Sequence, residues 1–266
     1  MAIKRIEAQT IVLENLAWLL YGPPGGGKTY LAGTFPRPMV VISSTREKGH
    51  VTLRGLSHAT VLLVDTVKDF EEAVRMAITE QPTRRYKTIV VDGITSFVEM
   101  YYAETKAQNA NPKNPNGYVA QDDWLDWGTQ FIDLLARLRA HPWEVVWTAN
   151  IQAVESKYAP GELRAGPASF RWLAERLPAK FDNTIYVESS TDGVGVPSFR
   201  AYPSGLGNIF GRMRGIQPGA VVESPTWRKL TALAEKPLFA APTHKPAEMD
   251  PPSSSTEKSA TGGEEK

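Results

Sequence analysis

Short unbroken apolar runs alternate along this chain with longer stretches in which apolar residues recur every three or four positions. Leu16–Tyr21, Met39–Ile42, Val61–Val64, Thr88–Asp92 and Glu144–Ala149 are of the first kind. Runs this short with little polar alternation predict strands covered on both faces. Phe70, Val74, Ala77 and Ile78 fall at helical spacing, as do Trp124, Trp127, Phe131, Leu134, Leu135 and Leu138, and predict two amphipathic crossover helices. The tryptophans of the second stripe read as core anchors, because an aromatic stripe of this period faces a sheet. The alternation predicts an α/β fold: a central, mostly parallel sheet with helices on both faces.

Toward the C-terminus the pattern changes. Thr184–Glu188 and Ser198–Tyr202 flank the turn-rich segment Ser189–Pro197 and predict an antiparallel hairpin at the end of the sheet. Ser224-Pro225 reads as an N-cap followed by proline at the first helical position, with Trp227, Leu230 and Leu233 as the apolar face of a last helix. Two segments, Ala107–Asp123 and Ala153–Ser169, read as long irregular loops and therefore as contact surfaces. From Ala241 the chain turns to Pro, Ser, Thr, Glu and Lys, a composition that cannot bury a core. The expected organisation is a folded core over 1–240 and a disordered tail over 241–266. The tail is read chiefly as a solubilising segment, with docking of a partner as the other reading.

Charge narrows the function classes. The 266 residues carry 30 Lys and Arg against 29 Asp and Glu, a formal +1. The tail holds three lysines against five carboxylates, a net −2 that leaves residues 1–240 at +3. Such a body does not attract polyanions as a whole, which excludes a polybasic binder. Cysteine is absent, which removes disulfides, thiolate nucleophiles and cysteine-ligated zinc. The four histidines have no ligand spacing. The longest apolar run, Leu16–Tyr21, is far short of the roughly 20 residues that cross a bilayer, and no secretory signal is seen at the N-terminus. A cytoplasmic location is expected, or a host cytoplasm for a viral gene.

The chemistry enters directly after the first strand. Gly22-Pro23-Pro24-Gly25-Gly26-Gly27-Lys28-Thr29 satisfies G-x-x-x-x-G-K-[ST] between a strand and a helix, the context that defines a phosphate-binding loop. Glycines let the backbone wrap close to the phosphates, the amides and helix N-terminus bind the anion, and Lys28 reaches the β- and γ-phosphates. Thr29 is placed to hold Mg²⁺, with ATP as the expected nucleotide. Asp92 closes the run Ile89-Val90-Val91 where a second, metal-binding carboxylate belongs, on a strand expected beside the phosphate loop. Residue 93 is glycine, so no glutamate adjoins Asp92 to orient an attacking water. Glu47, after the second strand, is the nearest carboxylate at such a strand end, and a solvated loop glutamate is the competing reading. Asn150, just past Val145–Ala149, stands where a γ-phosphate sensor would, although Asn also terminates strands.

These residues resemble the phage-encoded RecA-like ATPases, including the small single-strand annealing and recombination proteins built on a bare RecA core. The likeness rests on Leu19–Thr29, on Ile89-Val90-Val91-Asp92-Gly93-Ile94-Thr95 and on Leu173–Asp182, and spans roughly residues 10–235. It implies a RecA-like P-loop NTPase fold, with Glu47 as the catalytic glutamate and Asn150 as the sensor. Two departures stand out: Ser43–Arg46 interrupts the acidic pair expected after the second strand, and the sensor of related phage proteins is often histidine. Gly211-Arg212-Met213-Arg214-Gly215 looks like the basic pair that such proteins extend into a neighbouring subunit's ATP, where a guanidinium neutralises charge on the transferred phosphoryl group. That role requires a homo-oligomer, ring or filament.

The resemblance further implies that the two long loops touch single-stranded DNA, with Lys113 and Tyr118 in the first and Lys157, Tyr158 and Arg164 in the second as contacts. Sparse charges of this kind would act through avidity across many subunits. The resemblance thus implies a DNA-stimulated ATPase of phage recombination or strand annealing, with the tail as a site for a single-strand-binding protein. The alternatives are a nucleotide-switched partner-binding protein with slow hydrolysis and a small helicase or packaging motor.

Overall fold

The computed structural model describes residues 15–155, 163–168, 171–191, 197–205 and 207–234. The 240/241 boundary and the tail lie outside them. The chain begins with β1 (Ala17–Gly22), α1 (Lys28–Ala32), β2 (Met39–Ser44), a 3-10 turn (Gly49–Leu53) and β3 (Ala59–Val64). It continues through α2 (Val67–Arg84), β4 (Thr88–Asp92), α3 (Ile94–Gln108), α4 (Gln121–Arg139), β5 (Glu144–Glu155), β6 (Leu163–Pro167) and α5 (Arg171–Lys180). It ends with β7 (Asn183–Thr191), β8 (Pro197–Tyr202), β9 (Val222–Glu223) and α6 (Trp227–Ala234).

One sheet runs β3-β2-β4-β5-β1-β7-β8-β9, and β6 pairs with the end of β5. The strands from β3 to β7 are parallel, and β8 and β9 add antiparallel pairs, the expected hairpin closing that side. Four of the five apolar runs are buried because successive side chains feed two cores, whereas Val61–Val64, expected to be covered on both faces, lies in the edge strand β3 and leaves Leu63 exposed. Leu19, Ile42, Ile89, Val91, Val145 and Trp147 face one way, against Phe70 of α2, Phe97 of α3, Phe131 of α4 and Leu177 of α5. Trp18, Leu20, Val41, Val90, Val146 and Ile185 face the other way, against Leu31 of α1 and Leu230 of α6. Trp127 lies in the first core, as its spacing predicts. This is the α/β P-loop architecture expected from the sequence.

Four other expectations change. The strand carrying Asp92 is not beside β1; β5 lies between them. The described residues of Ala153–Ser169 are largely strand and not irregular loop, because β5 runs on to Glu155 and pairs antiparallel with β6, Ile151 opposite Pro167 and Glu155 opposite Leu163. The last helix starts at Trp227. Thr226 supplies its cap, its hydroxyl accepting from Lys229 N at 3.2 Å, while Ser224 sits at φ 46° outside the helix. The Ala107–Asp123 loop is shortened by α3 and α4 to residues 109–120, and its asparagines organise it. Asn111 Oδ1 accepts from Lys113 N and Asn114 N at 3.0 Å each, and Asn109 Nδ2 donates to Tyr118 O at 3.0 Å, which makes it a side-chain-closed turn.

Phe97 of α3 stacks on Phe70 of α2 with ring centroids 4.2 Å apart, both rings fully buried. Phe97→Ala is expected to cost about 3–5 kcal/mol, read as a lowered denaturant midpoint at unchanged slope.

Candidate nucleotide site

A parallel sheet lines up the C-terminal ends of its strands, and the chemistry collects there. A cleft of about 510 Å³ opens at that edge, lined by residues of the phosphate loop together with Glu47, Asp92, Gly93, Thr148 and Asn150. Glu47, Asp92 and Asn150 thus come from three different strand ends to one place.

The loop leaves β1 at Gly22 and turns with Gly26 N donating to Pro23 O at 3.0 Å. Gly27 sits at φ 91°, and a Cβ there would lie 2.5 Å from the Phe199 ring. Glycine is therefore required twice over, for its dihedral and for the close packing of β8 onto the loop. Lys28 Nζ donates to Gly22 O at 3.0 Å and Pro23 O at 2.9 Å. Burial pulls its pKa below the usual lysine value, against the opposing pull of Glu47 and Asp92. The ammonium is thereby held in the cleft that phosphates would enter.

Asp92 is 4% exposed. Its Oδ1 accepts from Thr29 Oγ1 at 3.0 Å and from Thr148 Oγ1 at 2.8 Å. The Thr148 hydroxyl in turn accepts from Gly93 N at 2.7 Å. Thr148 belongs to the intervening strand β5, and with Thr29 it bridges the gap left by that strand. Burial raises the Asp92 pKa, and the two hydroxyls oppose the rise. The Gly49 backbone closes over the other carboxylate oxygen, since a Cβ there would lie 2.4 Å from Asp92 Oδ2. A hydroxyl and a carboxylate side by side are hard oxygen donors that fit Mg²⁺. Among the described residues no group of three or more His, Asp or Glu converges as a metal cage. Thr29 and Asp92 would hold the ion jointly with nucleotide phosphates, where it would neutralise phosphate charge.

Glu47 lies on the loop after β2, with its carboxyl turned into the cleft. Ser96 Oγ, on the first turn of α3, donates to Glu47 Oε1. A Cβ on Gly93 would stand 2.5 Å from Glu47 Oε2. Glu47 therefore fills the space that a side chain at position 93 would need, which explains why no glutamate follows Asp92. Partial burial raises the Glu47 pKa first, the Ser96 hydrogen bond lowers it, and Asp92 raises it again. Asn150 ends the parallel part of β5, opposite Gly22 of β1. Its backbone N donates to Thr95 Oγ1 at 3.1 Å, and Thr95 Oγ1 donates to Ala168 O at 3.0 Å, which ties the strand end to α3 and to the end of the β6 segment.

The remaining candidates lie elsewhere. Arg212 pairs through its backbone with Thr184 near the start of β7. The Arg214 guanidinium lies 3.9 Å from Asp182, whose other oxygen accepts from Ala17 N at the start of β1. Both arginines sit at the N-terminal end of these strands, away from their own chain's phosphate loop. Lys113 and Tyr118 are exposed on the asparagine-closed turn, Arg164 pairs with Val154 in the β5–β6 hairpin, and Lys157 and Tyr158 lie outside the described residues. Sequence reasoning missed Ser96, Thr148, Tyr30 and Phe199. The one usable signal was Ser96 at the third position after Gly93, where a helix's first turn points back at the strand edge.

Gly93→Ala forces an unfavourable φ and displaces the Glu47 carboxyl. It is expected to lower ATP turnover at least about 100-fold while leaving nucleotide affinity within about threefold, checked by steady-state kinetics and calorimetry. A base must be ionised to accept a proton, so the raised Glu47 pKa puts the acid limb of the turnover profile above the ordinary glutamate value of about 4.3. Ser96→Ala removes a bond that favours the carboxylate, and the acid limb is expected to move to still higher pH.

A family model described as an AAA domain matches residues 14–216, from the edge of β1 past the β7–β8 hairpin. No curated protein sequence matches the chain. With the phosphate loop and its buried carboxylate inside a match that covers most of its length, the chain belongs to the AAA domain family of P-loop ATPases.

Proposed function

We propose that this protein is a magnesium-dependent ATPase that works as a homo-oligomer on single-stranded DNA, as in phage recombination or strand annealing in a host cytoplasm. The observation that carries the hydrolytic part is the seating of Glu47. It is held by Ser96 in the space beside Gly93, in the same cleft as Lys28, Thr29 and Asp92. In this reading ATP lies with its phosphates on the loop amides and Lys28. Glu47 accepts a proton from water as the water oxygen bonds to the γ-phosphorus. The bond from that phosphorus to the β–γ bridging oxygen breaks, and ADP and phosphate leave. Asn150, at the cleft wall, donates a hydrogen bond to the γ-phosphate.

The oligomeric part is supported by Arg212 and Arg214. They are exposed at the opposite end of the sheet from the cleft, where they cannot serve their own site; Arg214 lies 3.9 Å from Asp182, and Arg212 is placed to face a neighbour's. The DNA part is supported by the likeness to RecA-like recombination ATPases and by Lys113 and Tyr118, both exposed on the same turn, a cation and a ring of the kinds that hold a single strand. No helix of the described residues is long and apolar enough to cross a membrane.

Turnover per chain is expected to rise cooperatively with protein concentration and to increase when a single-stranded oligonucleotide is added, with Lys28→Ala as the inactive control. Arg212→Ala is expected to bind ATP normally but to lose about 10³-fold in turnover. A low rate indifferent to both concentration and DNA would replace this reading with that of a nucleotide-switched partner protein, and a normal rate in Arg212→Ala would remove the trans arginine.

A further inference from the structure

The phosphate loop fixes where a triphosphate sits but leaves the base unassigned. Two aromatic rings stand at the wall of the same cleft. Phe199 of β8 packs over Gly27, and Tyr30, on the exposed side of α1 directly after Thr29, tilts against it with ring centroids 5.3 Å apart. Tyr30 is 49% exposed and lines the cleft, so part of its ring is open to a ligand there. Neither position is incidental. Phe199 pairs with Ser189 in the β7–β8 ladder, and its carbonyl accepts from Ser224 N at 2.8 Å, so the backbone carrying the ring is held from both sides.

Tyr30 and Thr52 also border a second cleft of about 500 Å³ that continues from the first and is lined further by Thr34, Arg54 and Arg228. Tyr30 therefore lies at the junction, with Phe199 on the side of the phosphate loop and the second cleft beyond as room for a two-ring base.

We propose that Tyr30 and Phe199 form the nucleobase shelf of this ATPase, and that the shelf selects purines by stacked area without distinguishing adenine from guanine. The inference rests on reading the cleft as a nucleoside triphosphate site. Stacking is indifferent to exocyclic groups, because every base has a π-face. Discrimination between adenine and guanine needs a fixed donor or acceptor against the base edge. Besides Tyr30, the side chain that borders both clefts is Thr52, whereas Arg54 and Arg228 line the second alone; the Thr52 hydroxyl rotates to accept from an amino group or donate to a carbonyl with equal ease. The Glu47 and Asp92 carboxylates are held at the strand ends by Ser96, Thr29 and Thr148.

The test is calorimetric titration of the full chain with MgATP, MgGTP, MgCTP and magnesium tripolyphosphate, on wild type, Tyr30→Ala, Phe199→Ala and Phe199→Tyr. ATP and GTP are expected to bind within about threefold of each other and CTP about tenfold more weakly. Phe199→Ala and Tyr30→Ala are each expected to weaken ATP about tenfold, the scale of one lost base–aromatic stack. Tripolyphosphate affinity stays unchanged and Phe199→Tyr restores ATP binding. Unchanged ATP affinity in both alanine variants, equal losses for ATP and tripolyphosphate, or a preference for ATP over GTP beyond about 100-fold would each overturn the shelf. Wild-type protein that binds none of the four, tripolyphosphate included, would overturn the nucleotide site itself and the shelf with it.

Discussion

Burying the Asp92 carboxylate at the end of β4 costs several kcal/mol of lost hydration, and the surrounding elements are arranged to offset that cost. Thr29 arrives from α1 and Thr148 from β5, each donating a hydroxyl to the same oxygen. Lys28 contributes an ammonium across the cleft. The partners come from separate strand–helix units, so the carboxylate ties the phosphate loop to the sheet across the strand that separates them. The same cleft brings two carboxylates together, and Asp92 raises the Glu47 pKa that burial has already raised. A divalent cation and a phosphate chain together would relieve both the carboxylates and the lysine.

Glycine shapes the site by leaving space. At Gly49 the backbone comes against Asp92, and at Gly93 the missing side chain makes room for Glu47. The carboxylate proposed to orient water is thus delivered from the end of β2 to a position beside the end of β4. This arrangement also links the site to the β5–β6 hairpin. Ser96 and Thr95 lie on the first turn of α3, the one holding Glu47 and the other joining the Asn150 backbone to Ala168. The Glu47 carboxyl and the β5–β6 hairpin are therefore tied to the same helix turn.

Much of this was legible in the chain. The five apolar runs became β1 to β5, four of them because a strand buried on both faces has no polar position to spare and β3 as an apolar edge strand, and the phosphate loop was legible because its backbone geometry demands those glycines. What the sequence hid was tertiary. β6 reads Leu163-Arg164-Ala165-Gly166-Pro167, with neither alternation nor an apolar run, and it exists because β5 outlasts the parallel sheet. α3 begins directly at Gly93, so its first residues read as the tail of the preceding strand motif, and α5 carries Pro178 within it. Strand order was also out of reach, since hydrophobic runs do not reveal that β5 inserts between β4 and β1. Thr148 and Phe199 belong to the site through that order and through the hairpin register alone.

The central claim is that Glu47, and not a residue beside Asp92, orients the attacking water. Its most direct test is Glu47→Gln, which keeps the shape and the Ser96 contact but cannot take up a proton. The account predicts MgATP affinity within about threefold of wild type and turnover reduced at least about 100-fold, the usual contribution of a general base. Turnover close to wild type at unchanged affinity would contradict it and place the base elsewhere.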